Sequence, residues 1–190
     1  MKLHSLFRPK CLFFAAFSFV AVHSVLASNP NIILILADDM GLGKTRQAIA
    51  SLEAGMPEGR ILVVCPASLK LNWKREILMV DPDAAIEVIG IDQGTEDDIR
   101  WVIVNYDLLG KHAERLHDVD WGGVILDEAH FIKNASKRTS HCLRLLGVQA
   151  DARAPVIGPE YVFLLTGTPM TNRPKDLFNL FRCVGHPSGR

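Results

Sequence analysis

Short apolar runs alternate with amphipathic segments along most of the chain, and this order restricts the possible folds more than any other feature. The runs are rich in Ile, Leu and Val, as expected of strands buried on both faces of a sheet. We predict strands at NIILIL (31–36), RILVVCP (60–66), AIEVIG (85–90), WVIVNY (101–106), GVILDEAH (123–130) and YVFLLTG (161–167). Helices are predicted at 42–55, 68–80, 136–147 and 174–185. This alternation favours an α/β fold, a parallel sheet with helices on both faces.

Two of the predicted helices carry clear local signals. The first places Ala48, Ile49 and Leu52 on one apolar stripe. The second begins with Ser68, whose hydroxyl we expect to cap the helix.

A glycine-rich loop follows the first predicted strand, in the string DDMGLGKT. The full phosphate-loop pattern has a glycine where this chain has Asp38, but Gly41, Gly43, Lys44 and Thr45 fit the pattern. Glycines let backbone N–H groups turn towards an anion, and a helix N-terminus adds donors and a favourable dipole. Lys44 would neutralise phosphate oxygens, and Thr45 would offer its hydroxyl to Mg²⁺. Taken alone, the string also fits a glycine turn with a surface lysine.

Two adjacent acids, Asp127 and Glu128, end the predicted strand VILDEAH. Two carboxylates at a strand end can hold a magnesium ion and polarise an attacking water. We assign metal binding through the water shell to Asp127 and the role of base to Glu128. A solvated acidic turn would look the same in isolation, but the combination with the glycine-rich loop favours a nucleotide hydrolase. This hypothesis requires Lys44 to lie across a cleft from the two acids. The strand that ends in the acids should then be a neighbour of the strand that leads into the glycine-rich loop.

Five longer strings contain these residues or follow them: DMGLGKTRQAIA, ILVVCPASLKLNWKREI, VIVNYDLL, DEAHFIKN and LLTGTPMTNRPKDLFNLF. In content, order and spacing they resemble the motifs of the first motor lobe of Swi/Snf-type DNA translocases, the helicase-like ATPases of superfamily two. The resemblance covers roughly residues 37–190. TNRPKDLFNLF and HPSGR are most similar to the small bacterial and annealing-helicase-like branch. The resemblance implies a RecA-like P-loop NTPase lobe with ATP and Mg²⁺ as cofactors and DNA as a partner.

The resemblance also implies roles for individual residues. Asp127 and Glu128 would serve hydrolysis, with Thr45 and Asp127 at the metal. Nucleotide binding would involve Gly41, Gly43, Lys44 and Thr45. Coupling of the nucleotide state to the grip on DNA would involve His130, Thr166, Gly167 and Thr168. Contacts to the DNA backbone would involve Ser68, Asn72 and Lys133, each of which fits a solvated polar residue equally well.

The first 27 residues differ from the rest of the chain. MKLHSLFRPK is basic and lacks acids, and the following run to Ala27 is apolar apart from two serines and one histidine. Val25 and Ala27 are small enough for a signal peptidase site, so we predict a signal peptide at 1–27 with cleavage after Ala27. A signal anchor and a buried helix are the alternatives. After cleavage we expect no membrane span.

A second resemblance covers only residues 1–41. SNPNIILILADDMG after a leader resembles the mature start of secreted sulfatases, in which Asp38 and Asp39 would help to bind calcium. Those enzymes need a C-x-P-x-R or C-x-A-x-R box, and this chain has neither. Both families share the string LADDMG, so a junction between a sulfatase leader and a motor-lobe fragment is one hypothesis. The alternatives to a motor lobe are therefore a secreted sulfatase-like hydrolase and a non-functional gene fusion.

The composition adds limits on partners and bound metals. Because 21 basic residues balance 21 acidic ones, any contact with DNA must come from a local patch or from a part of the protein that is missing. One lobe would contact few phosphates, so we expect weak binding to the DNA backbone. The four cysteines form no C-x-x-C pair, which argues against a zinc site or a disulfide framework.

The predicted organisation is a signal peptide at 1–27 and a first motor lobe at 28–190. The family's second lobe supplies an arginine finger, and this chain ends at Arg190, so we expect a truncated lobe with little ATP hydrolysis alone. The missing second lobe is then a partner. Localisation is in conflict, because a leader directs export whereas ATP and DNA lie inside the cell.

Overall fold

The computed structural model describes residues 31–36, 43–55, 59–92, 98–132, 136–147 and 158–167. The strands are β1 (Asn31–Leu36), β2 (Arg60–Cys65), β3 (Ile86–Val88), β4 (Trp101–Asn105), β5 (Trp121–Leu126) and β6 (Tyr161–Thr166). The helices are α1 (Lys44–Gly55), α2 (Lys70–Val80), α3 (Ala113–His117) and α4 (Lys137–Leu145). Single 3₁₀ turns occur at Ala67–Leu69, Tyr106–Leu108 and Ala129–Ile132.

The six described strands form one sheet in the order β1-β6-β5-β2-β4-β3, and every neighbouring pair is parallel. This confirms the predicted parallel α/β sheet. The order also contains a correction. Strand β6 lies between β1 and β5, so the acids that follow β5 are not on a neighbour of the strand that leads into the glycine-rich loop.

Helices cover both faces of the sheet, as predicted. Ile61 and Val63 of β2 pack in one apolar cluster with buried residues of α1 and α2. Leu62 and Val64, which alternate with them, pack in a second cluster with buried residues of α3 and α4. On α1 the predicted stripe is confirmed, since its three buried side chains are Ala48, Ile49 and Leu52.

Two local predictions need correction. Ser68 does not cap α2, because the chain first makes a 3₁₀ turn in which the N–H of Leu69 donates to the carbonyl of Pro66 at 2.9 Å. Helix α2 then begins at Lys70 without a side-chain cap. The other correction is α3, which has no counterpart among the predicted elements because five residues are too few to show an apolar stripe.

Two predicted segments, the leader at 1–27 and the helix at 174–185, lie outside the described residues. Within the part of the chain that the structure describes, no helix has the length and apolar character needed to cross a bilayer.

Candidate functional site

The candidate residues meet at the carboxyl edge of the parallel sheet. Lys44 begins the helix after β1, Asp127 directly follows β5, and Thr166 ends β6. Since neighbouring strands lie about 4.8 Å apart, the ends of β1 and β5 are about 10 Å apart, with β6 between them. That gap is too wide for direct contact between the two strand ends, and it leaves room for phosphates above the end of β6.

Gly43 has the backbone geometry that the glycine-rich loop requires. Its φ is +73°, in the left-handed region that side chains disfavour. A Cβ built at Gly43 would meet no atom within 4 Å, so the backbone conformation and not crowding selects glycine. The carbonyl of Gly43 accepts from the N–H of Gln47 at 2.9 Å, which starts α1. The N–H groups of the first turn of α1 therefore point out of the N-terminal end of the helix, where an anion could bind.

Asp127 is held at every one of its polar atoms. Its carboxylate is buried, and Oδ2 accepts from Nε1 of Trp73 at 2.8 Å. Oδ1 accepts from the N–H of Glu128 at 2.9 Å. On the backbone, its N–H donates to the carbonyl of Val64 at 2.8 Å, and its carbonyl accepts from Oη of Tyr106 at 2.7 Å. The orientation of this carboxylate is thus set by three structural elements besides its own strand and turn.

Burial raises the pKa of Asp127. The hydrogen bonds from Trp73 and from the Glu128 amide lower that pKa, and the charge of Glu128 raises it again. The ammonium of Lys44 lowers it as well, so Lys44 lies within electrostatic reach of Asp127. A buried carboxylate that retains free lone pairs is stabilised by a cation.

The side chains present fit a hard divalent cation. Mg²⁺ is usually held by one or two carboxylates together with substrate phosphates. Asp127 could supply the carboxylate, Thr45 at the start of α1 could supply a half-buried hydroxyl, and Lys44 could supply a charge for the phosphates. Residues of this chemistry are suited to Mg²⁺ and a nucleotide.

Glu128 is held in an unusual conformation. Its φ is +50°, and it is the only residue other than glycine with positive φ in the described segments. Such a conformation costs about 1–3 kcal/mol, so the surroundings must impose it. Its carbonyl accepts from the N–H of Phe131 at 2.9 Å, which closes the turn. This turn leaves the side chain of Glu128 partly exposed beside that of buried Asp127.

His130 contacts Glu128 and an aromatic stack. Its Nδ1 lies 3.0 Å from Oε2 of Glu128 in an electrostatic contact that is not aligned as a hydrogen bond. Its ring stacks on Phe131 with centroids 4.7 Å apart, and Phe131 stacks on Tyr106 at 5.4 Å. The coupling candidate His130 is therefore next to the candidate base.

The other described coupling candidates lie on β6. Thr166 is buried at the end of the strand, and Gly167 follows it half-buried. Both lie between the loop side and the acid side of the site, because β6 separates β1 from β5.

Ser68 and Asn72 lie on the segment that follows β2, next to the strand that carries the acids. Ser68 is exposed in its 3₁₀ turn, and Asn72 is half-buried with Oδ1 accepting from Nη2 of Arg75 at 2.7 Å. Arg75 is an exposed cation beside Asn72 that the sequence analysis missed.

Trp73 and Tyr106 are the other residues that the sequence analysis missed, although both stand inside motif strings, in KLNWK and VNYD. A tryptophan in an amphipathic helix is usually a core residue, so the sequence gives no sign that Trp73 belongs to the site. Its hydrogen bond to Asp127 in the structure shows that it does. Three predicted site residues, Gly41, Lys133 and Thr168, lie outside the described residues.

Comparison with known proteins agrees with this geometry. A sequence model described as the SNF2-related domain matches residues 18–188. The SWI/SNF-related matrix-associated actin-dependent regulator of chromatin subfamily A-like protein 1 of Xenopus laevis is 34% identical over 156 residues, which are 80% of this chain and 15% of the relative. The DNA annealing helicase and endonuclease ZRANB3 of Bos taurus is 36% identical over 153 residues, which are 76% of this chain and 13% of the relative.

A solved structure shows the same fold. The Sulfolobus solfataricus SWI2/SNF2 ATPase core in complex with dsDNA superposes with a TM-score of 0.65 at 28% identity. The likeness covers 80% of this chain and 31% of that one. It confirms the predicted RecA-like lobe, and this chain spans less than a third of each protein compared.

Proposed function

The chain belongs to the SNF2-related domain family, and on that basis we propose that residues 28–190 form the ATP-binding first lobe of a DNA-dependent ATPase and translocase. The observation that carries the proposal is the placement of Lys44, at the start of the helix after β1, and buried Asp127, directly after β5, at the same carboxyl edge of the parallel sheet. Two segments far apart in the chain, one basic and one acidic, would thereby face one site.

Each residue has a distinct part in binding. The amides after Gly43 and at the start of α1 donate to phosphate oxygens, and Lys44 neutralises their charge. Thr45 and Asp127 hold Mg²⁺, which, when bound, would neutralise the phosphates of the nucleotide. We assign nucleotide binding to Gly43, Lys44 and Thr45, and also to Gly41, which lies outside the described residues.

Glu128 acts as the base that orients and polarises the attacking water. Its half-exposed carboxylate supports this role, because a base must reach solvent or substrate while Asp127 stays buried. His130, 3.0 Å from Glu128, restrains that carboxylate and links it to the aromatic stack. Thr166, Gly167 and Thr168 would sense the nucleotide from the end of β6.

DNA is the proposed partner, as in the Sulfolobus structure, which contains dsDNA. Ser68, Asn72 and Lys133 would contact the phosphate backbone, with Arg75 beside Asn72 as a further cation. A lobe that contacts few phosphates binds weakly, with an affinity that falls as salt rises. A second lobe is the other proposed partner, since an arginine finger supplied from outside a site can raise turnover by roughly 10³–10⁵.

The leader at 1–27 and the sulfatase-like start remain predictions. The SNF2-related match begins at residue 18, inside the predicted leader. N-terminal sequencing of the protein made in cells tests the leader, because a mature chain that starts at Ser28 supports it and an intact Met1 contradicts it. A mature chain that starts at Ser28 would also support export.

Nucleotide binding by the full chain tests the proposed function. We expect a fluorescent ATP analogue to bind in the presence of Mg²⁺, and Lys44→Ala to weaken binding by about tenfold or more, since bonds to charged groups contribute about 1.5–3 kcal/mol. Lys137→Ala is the matched control, because Lys137 is also the first residue of a helix, its side chain is exposed, and it has no part in the proposed site. Absence of binding, or equal losses in both variants, would contradict the proposal.

A further inference from the structure

We propose that Trp73 and Tyr106 are positioning residues that clamp Asp127 in the orientation needed to hold the metal of a bound Mg²⁺–nucleotide. This inference rests on the proposed function and deepens it by assigning two residues that no motif-based role covers. The Asp127 clamp, as we call this pair, consists of the two side-chain donors on Asp127 that come from other elements, α2 and the turn after β4.

Trp73 holds the carboxylate group. Its side chain is fully buried, and its one polar atom, Nε1, donates to Oδ2 of Asp127 at 2.8 Å. The backbone N–H of Glu128 donates to Oδ1 of Asp127 at 2.9 Å. Because each carboxylate oxygen then accepts one hydrogen bond, the plane of the carboxylate cannot rotate freely. Each carboxylate oxygen has a second lone pair, which remains for a metal-bound water or the metal.

Tyr106 holds the backbone on which the carboxylate stands. Its hydroxyl is nearly buried and donates to the carbonyl of Asp127 at 2.7 Å. The strand pairing of β5 ends at Leu126, and Glu128 turns away with φ +50°. At this point the neighbouring strand still accepts from the N–H of Asp127 through the carbonyl of Val64, and the tyrosine hydroxyl holds the Asp127 carbonyl.

The clamp also joins two parts of the proposed function. Trp73 directly follows Asn72, so the helix that carries a candidate DNA contact also carries the donor to Asp127. Partners in the outer shell of a metal site typically change metal affinity by about 10–100-fold when they are removed. The clamp should therefore affect the Mg²⁺-dependent part of nucleotide binding and leave the Mg²⁺-free part unchanged.

Trp101 provides a matched control. It is also fully buried and belongs to the same apolar cluster as Trp73, on the α1 and α2 face. Its Nε1 has no hydrogen-bond partner within the described segments. Trp73→Phe and Trp101→Phe thus remove similar buried volume, but only Trp73→Phe removes a bond to the site.

The experiment measures affinity for a fluorescent ATP analogue with Mg²⁺ and with EDTA in the full chain. We expect Trp73→Phe to reduce the Mg²⁺-dependent gain in affinity by about tenfold or more, with the affinity in EDTA unchanged. Trp101→Phe should leave the gain at the wild-type value. Tyr106→Phe removes a single hydroxyl without changing the ring, so it should fold and reduce the gain in the same direction.

A second readout does not need a nucleotide. The chain contains three tryptophans, so its ¹H–¹⁵N spectrum should show three indole N–H signals, and Trp73→Phe identifies one of them. Asp127→Asn should shift the Trp73 signal and leave the Trp101 signal in place. An unmoved Trp73 signal would overturn the clamp.

The outcomes separate the clamp from the proposed function. If the wild-type chain binds Mg²⁺–nucleotide and Trp73→Phe behaves as Trp101→Phe does, the clamp is refuted and the function stands. If the wild-type chain binds no nucleotide in either condition, the function fails and the clamp has no metal site to serve.

Discussion

Gly123 on β5 sets how closely helix α1 approaches the sheet, and replacing it with alanine tests this packing. A Cβ built at Gly123 would lie 2.9 Å from Cδ2 of Leu52, which is closer than real Cβ atoms come to a neighbour. It would also lie 3.7 Å from Cγ1 and from Cγ2 of Ile61. Leu52 is fully buried on α1, so it has little space to move. The contact joins the helix that starts with Lys44 to the strand that directly precedes Asp127.

The expected cost follows from two opposing effects. Overpacking a buried site by one methyl group destabilises by about 1–3 kcal/mol. Alanine in place of glycine also restricts the unfolded chain, which stabilises by about 0.4–1 kcal/mol where the backbone is compatible, as it is here since φ is not positive. Gly123→Ala should therefore lower the free energy of unfolding by about 1–2 kcal/mol.

Urea unfolding of the full chain measures this effect as a shift of the midpoint at constant slope. Leu52→Ala alone should cost about 2–5 kcal/mol, because it leaves a cavity. In the double variant the new methyl group occupies part of that cavity, so the two losses should fall short of additive by about 1–3 kcal/mol. Additive losses, or no loss from Gly123→Ala alone, would refute the contact as the source of the effect.

The remaining predictions concern titrating groups away from the phosphate loop. Burial, together with the charge of Asp127, raises the pKa of Cys65 to about 12. A disulfide reagent at pH 8 should therefore leave this thiol unmodified until urea unfolds the chain. Labelling of Cys65 in the native state would contradict its burial. Burial lowers the pKa of His117, as do the charges of Arg144 and His141, so the folded state binds a proton less readily than the unfolded state. The contribution of neutral His117 to the free energy of unfolding should be fully present above the pKa of about 6.5 in the unfolded chain. It should be lost as the pH falls from that value through the lower pKa of the folded state. Urea unfolding at pH 7.5 and at pH 5.5 measures the decrease in the free energy of unfolding, and His117→Gln should make that decrease smaller. If the variant shows the same decrease as the wild type, other groups cause it.

Much of the fold could be predicted from local patterns. All six described strands match predicted apolar runs, and the stripe of Ala48, Ile49 and Leu52 is buried as expected, because burial on one face imposes a periodicity that the sequence displays. Short elements escaped this reasoning. The helix α3 has five residues, and the turn at Ser68 depends on a bond to Pro66 that no periodicity reveals.

The sequence by itself determined that a glycine, Gly43, stands directly before the first helix and that the adjacent acids Asp127 and Glu128 follow a buried strand. Only the tertiary structure decided that β6 lies between the two halves of the site, because strand order depends on contacts between residues far apart in the chain. The same holds for Trp73, whose bond to Asp127 spans 54 residues. Periodicity along a chain reports which side of an element is buried, and it carries no information about which distant polar atom a buried donor will meet.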